Sequence, residues 1–208
     1  MTTYKDDNSF FNFIPIIKVP TGKRELHEWL LDHESSRFRF ILDREADDDF
    51  LNMKQREELY PGIKSIAIVT NPWKRALISY NDLRIKFEET KNPRLEIYKL
   101  ETFESYLNQT FYNLKLKDFM PDVWFDFTTQ QIDWLTYNSN GNVKKAKYIL
   151  RLEHINDDLK PLQDYFLNSR TLDVFDPNLD YREYYNNRSI DLIANLFKDD
   201  IKTFGYDF

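Results

Sequence analysis

Lys64-Ser65-Ile66-Ala67-Ile68-Val69-Thr70-Asn71-Pro72-Trp73-Lys74-Arg75-Ala76-Leu77-Ile78-Ser79-Tyr80 reads as a buried strand, a sharp turn and the opening of a helix. The run Ile66 to Val69 is short and mostly β-branched, as a strand covered on both faces requires. Asn71 is suited to cap a helix whose first position is Pro72, where the missing backbone N–H costs nothing. Trp73, Leu77, Tyr80, Leu83 and Phe87 then recur at three or four residues and make a core face. Arg75 and Ser79, four apart, share another face of the first turns. A guanidinium, a hydroxyl and open helix N–H groups beside a strand's carboxyl end would suit a phosphate. The plainer alternative is a structural strand–helix unit with Arg75 solvated.

Working outward, the amino-terminal side repeats this pattern. Phe10 to Ile17 is a strand candidate, in which Pro15 implies an edge position or a local irregularity. Lys18-Val19-Pro20-Thr21-Gly22-Lys23-Arg24 follows, and then Leu26, Trp29, Leu30 and His33 mark one face of a short helix. Arg37 to Leu42 is a second strand candidate. The acidic run Asp43 to Asp49 reads as a solvated loop or helix start, and Phe50 to Tyr60 as a helix before the Pro61-Gly62 turn. Alternating strands and helices imply an α/β fold with a mostly parallel sheet and ligands at the strands' carboxyl ends. On the carboxyl side, residues 88–131 read as helices and loops with irregularly spaced aromatics. Asn138-Ser139-Asn140-Gly141-Asn142 is a turn, Lys147 to Leu152 a strand, and Ile155 to Phe166 a helix. A terminal helix carries Ile190, Ile193, Leu196, Phe197, Ile201 and Phe204 on one face, with Ser189 as its cap and Gly205 as its stop.

Composition narrows the function classes. The 208 residues suit one domain, and 17 Phe, 13 Tyr and 4 Trp supply enough large apolar area to exclude a disordered chain. A net charge of −6 argues against a general nucleic-acid binder, which needs a basic face. With no Cys and 3 His, thiolate chemistry is excluded and a zinc site is not expected. No stretch has the apolar length of a membrane span or the pattern of a signal peptide, so the expected setting is cytoplasmic, with no membrane partner. Lys18 to Lys23 offers charge, a hydroxyl and a glycine to an anion, but it lacks the G-x-x-x-x-G-K-[ST] spacing of a triphosphate loop. That absence disfavours a nucleotide kinase.

Several of these segments, in order, resemble one family. Val69 to Tyr80 is similar to the V-R-N-P-y-x-R-l-x-S-x-Y motif of carbohydrate-type sulfotransferases, which use PAPS, 3′-phosphoadenosine 5′-phosphosulfate. Gln131 to Leu135, the turn at Gly141 and Leu150 to Asp158 look like the family's Q-x-d-y-L … g … i-x-R-x-E-n-l-x-x-D region. Tyr181 to Tyr185 and Asp200 to Phe208 look like its ending, Y-r-x-Y-Y … D-x-x-x-F-G-Y-x-F. The resemblance implies a single domain over residues 1–208 with the P-loop NTPase-like sulfotransferase fold, a three-layer sandwich whose central, mostly parallel sheet is flanked by helices. It also implies transfer of a sulfuryl group from PAPS to a hydroxyl of a glycan or other small acceptor, without a metal; the missing amino-terminal membrane anchor of secretory-pathway members suggests a bacterial or viral setting.

By the same resemblance Lys18, Thr21, Gly22 and Lys23 hold the phosphosulfate end of PAPS, and Arg75 and Ser79 hold its 3′-phosphate. Lys18 or Lys23 supplies catalytic charge. Glu45 is the candidate general base, with His27 and His33 as alternatives. Tyr181, Tyr184 and Tyr185 line the adenine or acceptor side, or else the core, and Arg151 with Glu153 matches the family pattern but equally suits a structural pair. Two departures carry a rival reading. The family's P-K-T-G-G-T-S loop is matched only loosely by Lys18 to Arg24, and its first 3′-phosphate arginine is replaced by Thr70. The alternative is therefore a non-catalytic binding protein that keeps the fold with weakened or lost PAPS binding.

Overall fold

The computed structural model describes residues 11–16, 38–40, 53–59, 61, 64–112, 129–161 and 180–208, which form a mixture of helices and strands with a small parallel sheet. In chain order the strands are β1 (Phe11–Ile16), β2 (Phe38–Phe40), β3 (Lys64–Val69), β4 (Thr136–Ser139), β5 (Asn142–Lys145) and β6 (Tyr148–Arg151). The helices are α1 (Met53–Leu59), α2 (Pro72–Thr90), α3 (Phe103–Leu107), α4 (Gln131–Leu135), α5 (Ile155–Asp158), α6 (Asn187–Leu196) and α7 (Lys198–Phe204). The chain divides into two compact units, one of Met1–Val69 with Gln131–Asp176, the other of Thr70–Gln130 with Pro177–Phe208.

In the first unit the sheet order is β2-β1-β3-β6, and every pairing is parallel. The expected parallel sheet is thus present, while the helix expected around Leu26 to His33 lies outside the described residues. Ser65 to Val69 of β3 are buried, as befits a strand with neighbours on both sides. The polar exception is satisfied locally, since the Lys147 N–H donates to Ser65 Oγ at 3.1 Å. β1 lies inside the sheet rather than at its edge. Among the described residues β2 pairs with Phe11 to Phe13, and Pro15 is paired on the β3 side, with Ile66. The turn at Gly141 closes a hairpin of β4 and β5, with Asn140 at φ 53° and Gly141 at φ 83°. Two positive φ values are the geometry a two-residue hairpin loop prefers. The hairpin was not expected as strands, because β5 is exposed throughout and carries no apolar alternation.

The second unit is built on α2. Asn71 caps it and Pro72 occupies its first position, as the sequence implies. Every residue from Asn71 to Tyr80 is buried, and exposed positions recur only beyond Tyr80. Leu77, Tyr80 and Leu83 pack with Tyr98, Phe103, Tyr106, Ile193 and Phe197 in one core. Between α2 and residue 112 the chain forms a 3-10 turn at Pro93–Tyr98, α3, and a π-type turn at Asn108–Tyr112.

The terminal helix differs from expectation in two ways. It is two helices, α6 and α7, divided at Phe197, whose φ of −111° and ψ of 30° break the helical path while its N–H still donates to the Ile193 carbonyl. Its cap is Asn186, with Ser189 three residues on as the reciprocal partner: the Ser189 N–H donates to Asn186 Oδ1 at 3.0 Å and the Asn186 N–H to Ser189 Oγ at 2.9 Å. Gly205, at φ 72°, ends α7 as expected. The helix expected over Ile155 to Phe166 is the short α5 within the described residues.

Candidate functional site

The start of α2 is where the sequence placed an anion, and its local chemistry is well defined. Asn71 Oδ1 accepts from the Trp73 N–H at 3.0 Å and, more weakly, from the Lys74 N–H at 3.4 Å. The Arg75 N–H donates to the Asn71 carbonyl at 2.8 Å, and Pro72 has no N–H to offer. The open N–H groups expected at this helix start are therefore already used. An anion here would meet side-chain charge and the positive end of the helix dipole, without backbone donors.

Arg75 is not solvated. It is 2% exposed, and its Nη1 donates to the Thr129 carbonyl at 3.0 Å and lies 4.0 Å from Oδ2 of Asp200, itself 0% exposed. The Phe197 ring sits 5.5 Å from the guanidinium carbon. Ser79, 1% exposed, donates to the Ala76 carbonyl at 2.9 Å and shares a 2.7 Å hydrogen bond with the Tyr106 hydroxyl. Burial pushes Tyr106 far above its ordinary value of 10, against the pull of the Ser79 hydrogen bond. Burial likewise pushes Tyr98 up to about 12. The Ser79–Tyr106 bond is thus one between neutral hydroxyls.

Register accounts for part of this arrangement. With Asn71, Pro72, Arg75 and Tyr80 on the family motif, the motif's serine falls on Ile78, and Ser79 stands one residue later. One residue rotates a side chain by roughly 100° around a helix. Ser79 meets Tyr106 of α3, and Ile78 is buried.

The motif residues instead meet one another. The Asn71 amide donates to the Asp207 carbonyl at 2.9 Å and, at 3.3 Å, to the Tyr181 hydroxyl. The Tyr185 hydroxyl donates to the Trp73 carbonyl at 2.7 Å, and Trp73 Nε1 donates to the Ile190 carbonyl at 3.1 Å. Phe208 packs edge-on against Trp73, Tyr181 and Tyr185. Tyr181 and Tyr185 are therefore core groups of this unit, whereas Tyr184 is exposed. In the first unit Arg151 makes a two-pronged pair with Asp158, Nε to Oδ2 at 3.0 Å and Nη2 to Oδ1 at 2.9 Å. The Arg151 N–H adds a third bond to Oδ2 at 2.8 Å. These hydrogen bonds, before any other cause, hold the Asp158 carboxyl below its ordinary 3.8. The sequence anticipated a structural Arg151 but not Asp158, seven residues on, as its partner.

Lys18, Thr21, Gly22, Lys23 and Glu45, with His27 and His33, lie outside the described residues. Lys74, which sequence reasoning passed over, is 3% exposed on the first turn of α2. Its signal was available: a cation at the positive end of a helix is out of place. Among the described residues no three His, Asp or Glu side chains gather to hold a metal ion, and no helix is long and apolar enough to cross a membrane. Compared with known proteins, the chain matches no protein-family model, no curated protein and no solved structure.

Proposed function

We propose that this chain is a sulfotransferase that moves a sulfuryl group from PAPS to a hydroxyl of a carbohydrate or other small acceptor, on a three-layer fold of the sulfotransferase type. The observation that supports this reading is that the segments bearing the resemblance pair with each other. Asn71 of one segment meets Tyr181 and Asp207 of another and Arg75 meets Asp200, while Arg151 meets Asp158 within the third. Residues shared because they hold a fold together must touch, whereas chance matches scattered along a chain need not. β1 and β3 are also adjacent and parallel, so the chain leaves Ile16 and Val69 on the same edge of the sheet, where α/β proteins take their ligands.

Sulfuryl transfer asks the protein mainly to align the reactants and to stabilise charge spread over the sulfonate oxygens. On this reading Lys18 or Lys23 supplies that charge, Thr21 and the Gly22 amide add donors, and Glu45 takes the proton of the acceptor hydroxyl. A second reading, a non-catalytic binding protein on the same fold, is favoured by the internal engagement of Arg75 and Ser79 and by Thr70 in place of an arginine.

Calorimetric titration with 3′-phosphoadenosine 5′-phosphate, the product nucleotide, separates the two. Binding that is lost with adenosine supports the first reading. No heat and no thermal shift at millimolar nucleotide leaves the second.

A further inference from the structure

We propose that the outer edge of β5 docks an extended, acidic segment of a partner protein, which joins the β4–β5 hairpin as a third strand. The hairpin is fastened to its unit at the base and on one face. At the base the Ala146 N–H donates to the Leu135 carbonyl at 2.9 Å and the Lys147 N–H to Ser65 Oγ at 3.1 Å. On one face Lys144 Nζ donates to Glu57 Oε1 of α1 at 3.0 Å and lies over the Tyr137 ring, 5.7 Å from its centre. Successive strand residues point to opposite faces, so Val143 and Lys145 share the other face. All four residues of β5 are exposed, and Val143, at 72%, is the most exposed large apolar side chain among the described residues.

The backbone register makes this edge able to pair. Ser139 and Asn142 face each other across the two-residue loop and exchange their N–H and C=O groups, so Val143 and Lys145, at the alternate positions, turn theirs away from β4. Among the described residues no strand lies along that side. A two-stranded hairpin is marginal by itself, and a third strand stabilises it. Charge selects that strand. Lys144, Lys145 and Lys147 fall close together in a chain whose net charge is −6, and among the described residues no carboxylate pairs with Lys145 or Lys147. Lysines on an exposed edge deter indiscriminate pairing, and pairing β5 with a second copy of itself sets lysine against lysine. An antiparallel strand with a carboxylate opposite Lys145 and, two residues on, an apolar side chain opposite Val143 meets both groups. A nucleic acid would use the ammonium groups alone and leave Val143 and the outward backbone groups idle.

The test titrates the full chain with the peptide Thr-Glu-Thr-Glu-Thr-Val-Thr, blocked at both ends, and with the same peptide carrying Lys in place of Glu, while backbone amide NMR shifts are followed. The acidic peptide should shift residues 142–147, and the basic one should not. Lys145→Glu should weaken the acidic peptide by about fivefold or more, as a favourable cross-strand pair becomes a repulsive one. Val143→Pro removes an N–H that points away from β4, so it should unfold close to the parent's temperature and abolish binding. If Val143→Pro does not fold, the response of Lys145→Glu, a surface change, decides. No shift at millimolar acidic peptide overturns the proposal and leaves the lysines as guards of the edge. Binding unchanged by Lys145→Glu, or by a folded Val143→Pro, overturns it as well. Self-association of the parent that Val143→Pro abolishes would make the occupant a second copy, and a single-stranded oligonucleotide that binds more tightly than the peptide would make it a nucleic acid; either result overturns the proposal.

Discussion

At Arg75 a permanently charged group is withdrawn from water and set between a carbonyl, an aromatic ring and the fully buried Asp200. Removing one member of a buried ion pair leaves the other's charge in a low-dielectric setting. Arg75→Ala should therefore lower stability by about 3–5 kcal/mol, measured by urea unfolding. Replacing both groups, as in Arg75→Met with Asp200→Leu, should recover much of that loss, because an apolar pair of similar volume carries no desolvation cost. A loss under about 1 kcal/mol for Arg75→Ala would mean that the pair contributes no more than a surface one. Spacing in the sequence places Arg75 on a helix face, but it cannot say whether water or Asp200, 125 positions away, covers that face. The fate of this site was illegible for that reason.

At the scale of elements, α2 shows how much one cap residue can carry. Asn71 uses its oxygen to satisfy the first turn and its amide to hold the Asp207 carbonyl. Asn71→Ala should cost about 2–3 kcal/mol, combining a lost cap with lost amide hydrogen bonds. Asn71→Ser, which keeps a capping oxygen but no amide, should cost roughly half as much; equal losses in thermal unfolding would place the whole effect in the amide. The beginning of α2 was readable because Asn-Pro is a local signal whose chemistry completes within four residues. The break between α6 and α7 was not readable, since the apolar spacing runs through Phe197 without interruption. The hairpin strands β4 and β5 escaped for the opposite reason, having no buried face to impress a pattern on the sequence.

At the scale of the whole molecule, acid sensitivity is one readout of these local contacts. Asp158 has its folded pKa held below 3.8, so its contribution is present above that value and fades as the pH falls through the lower folded one. Asp158→Asn should thus be less stable near neutral pH, and its urea midpoint should vary less with pH below about 4 than the parent's; an unchanged acid slope would remove Asp158 from the account. The order of chain synthesis is a second consequence, and it follows from the bond between Asn71 and Asp207, which joins positions 136 residues apart. At roughly 5–20 residues per second, a ribosome adds that stretch in about 7–27 seconds. For most of that interval Trp73, Leu77 and Tyr80 have been made but Tyr181, Ile193 and Phe208 have not. Until those residues are made the growing chain carries an apolar helix without its cover, the kind of exposed surface that favours aggregation.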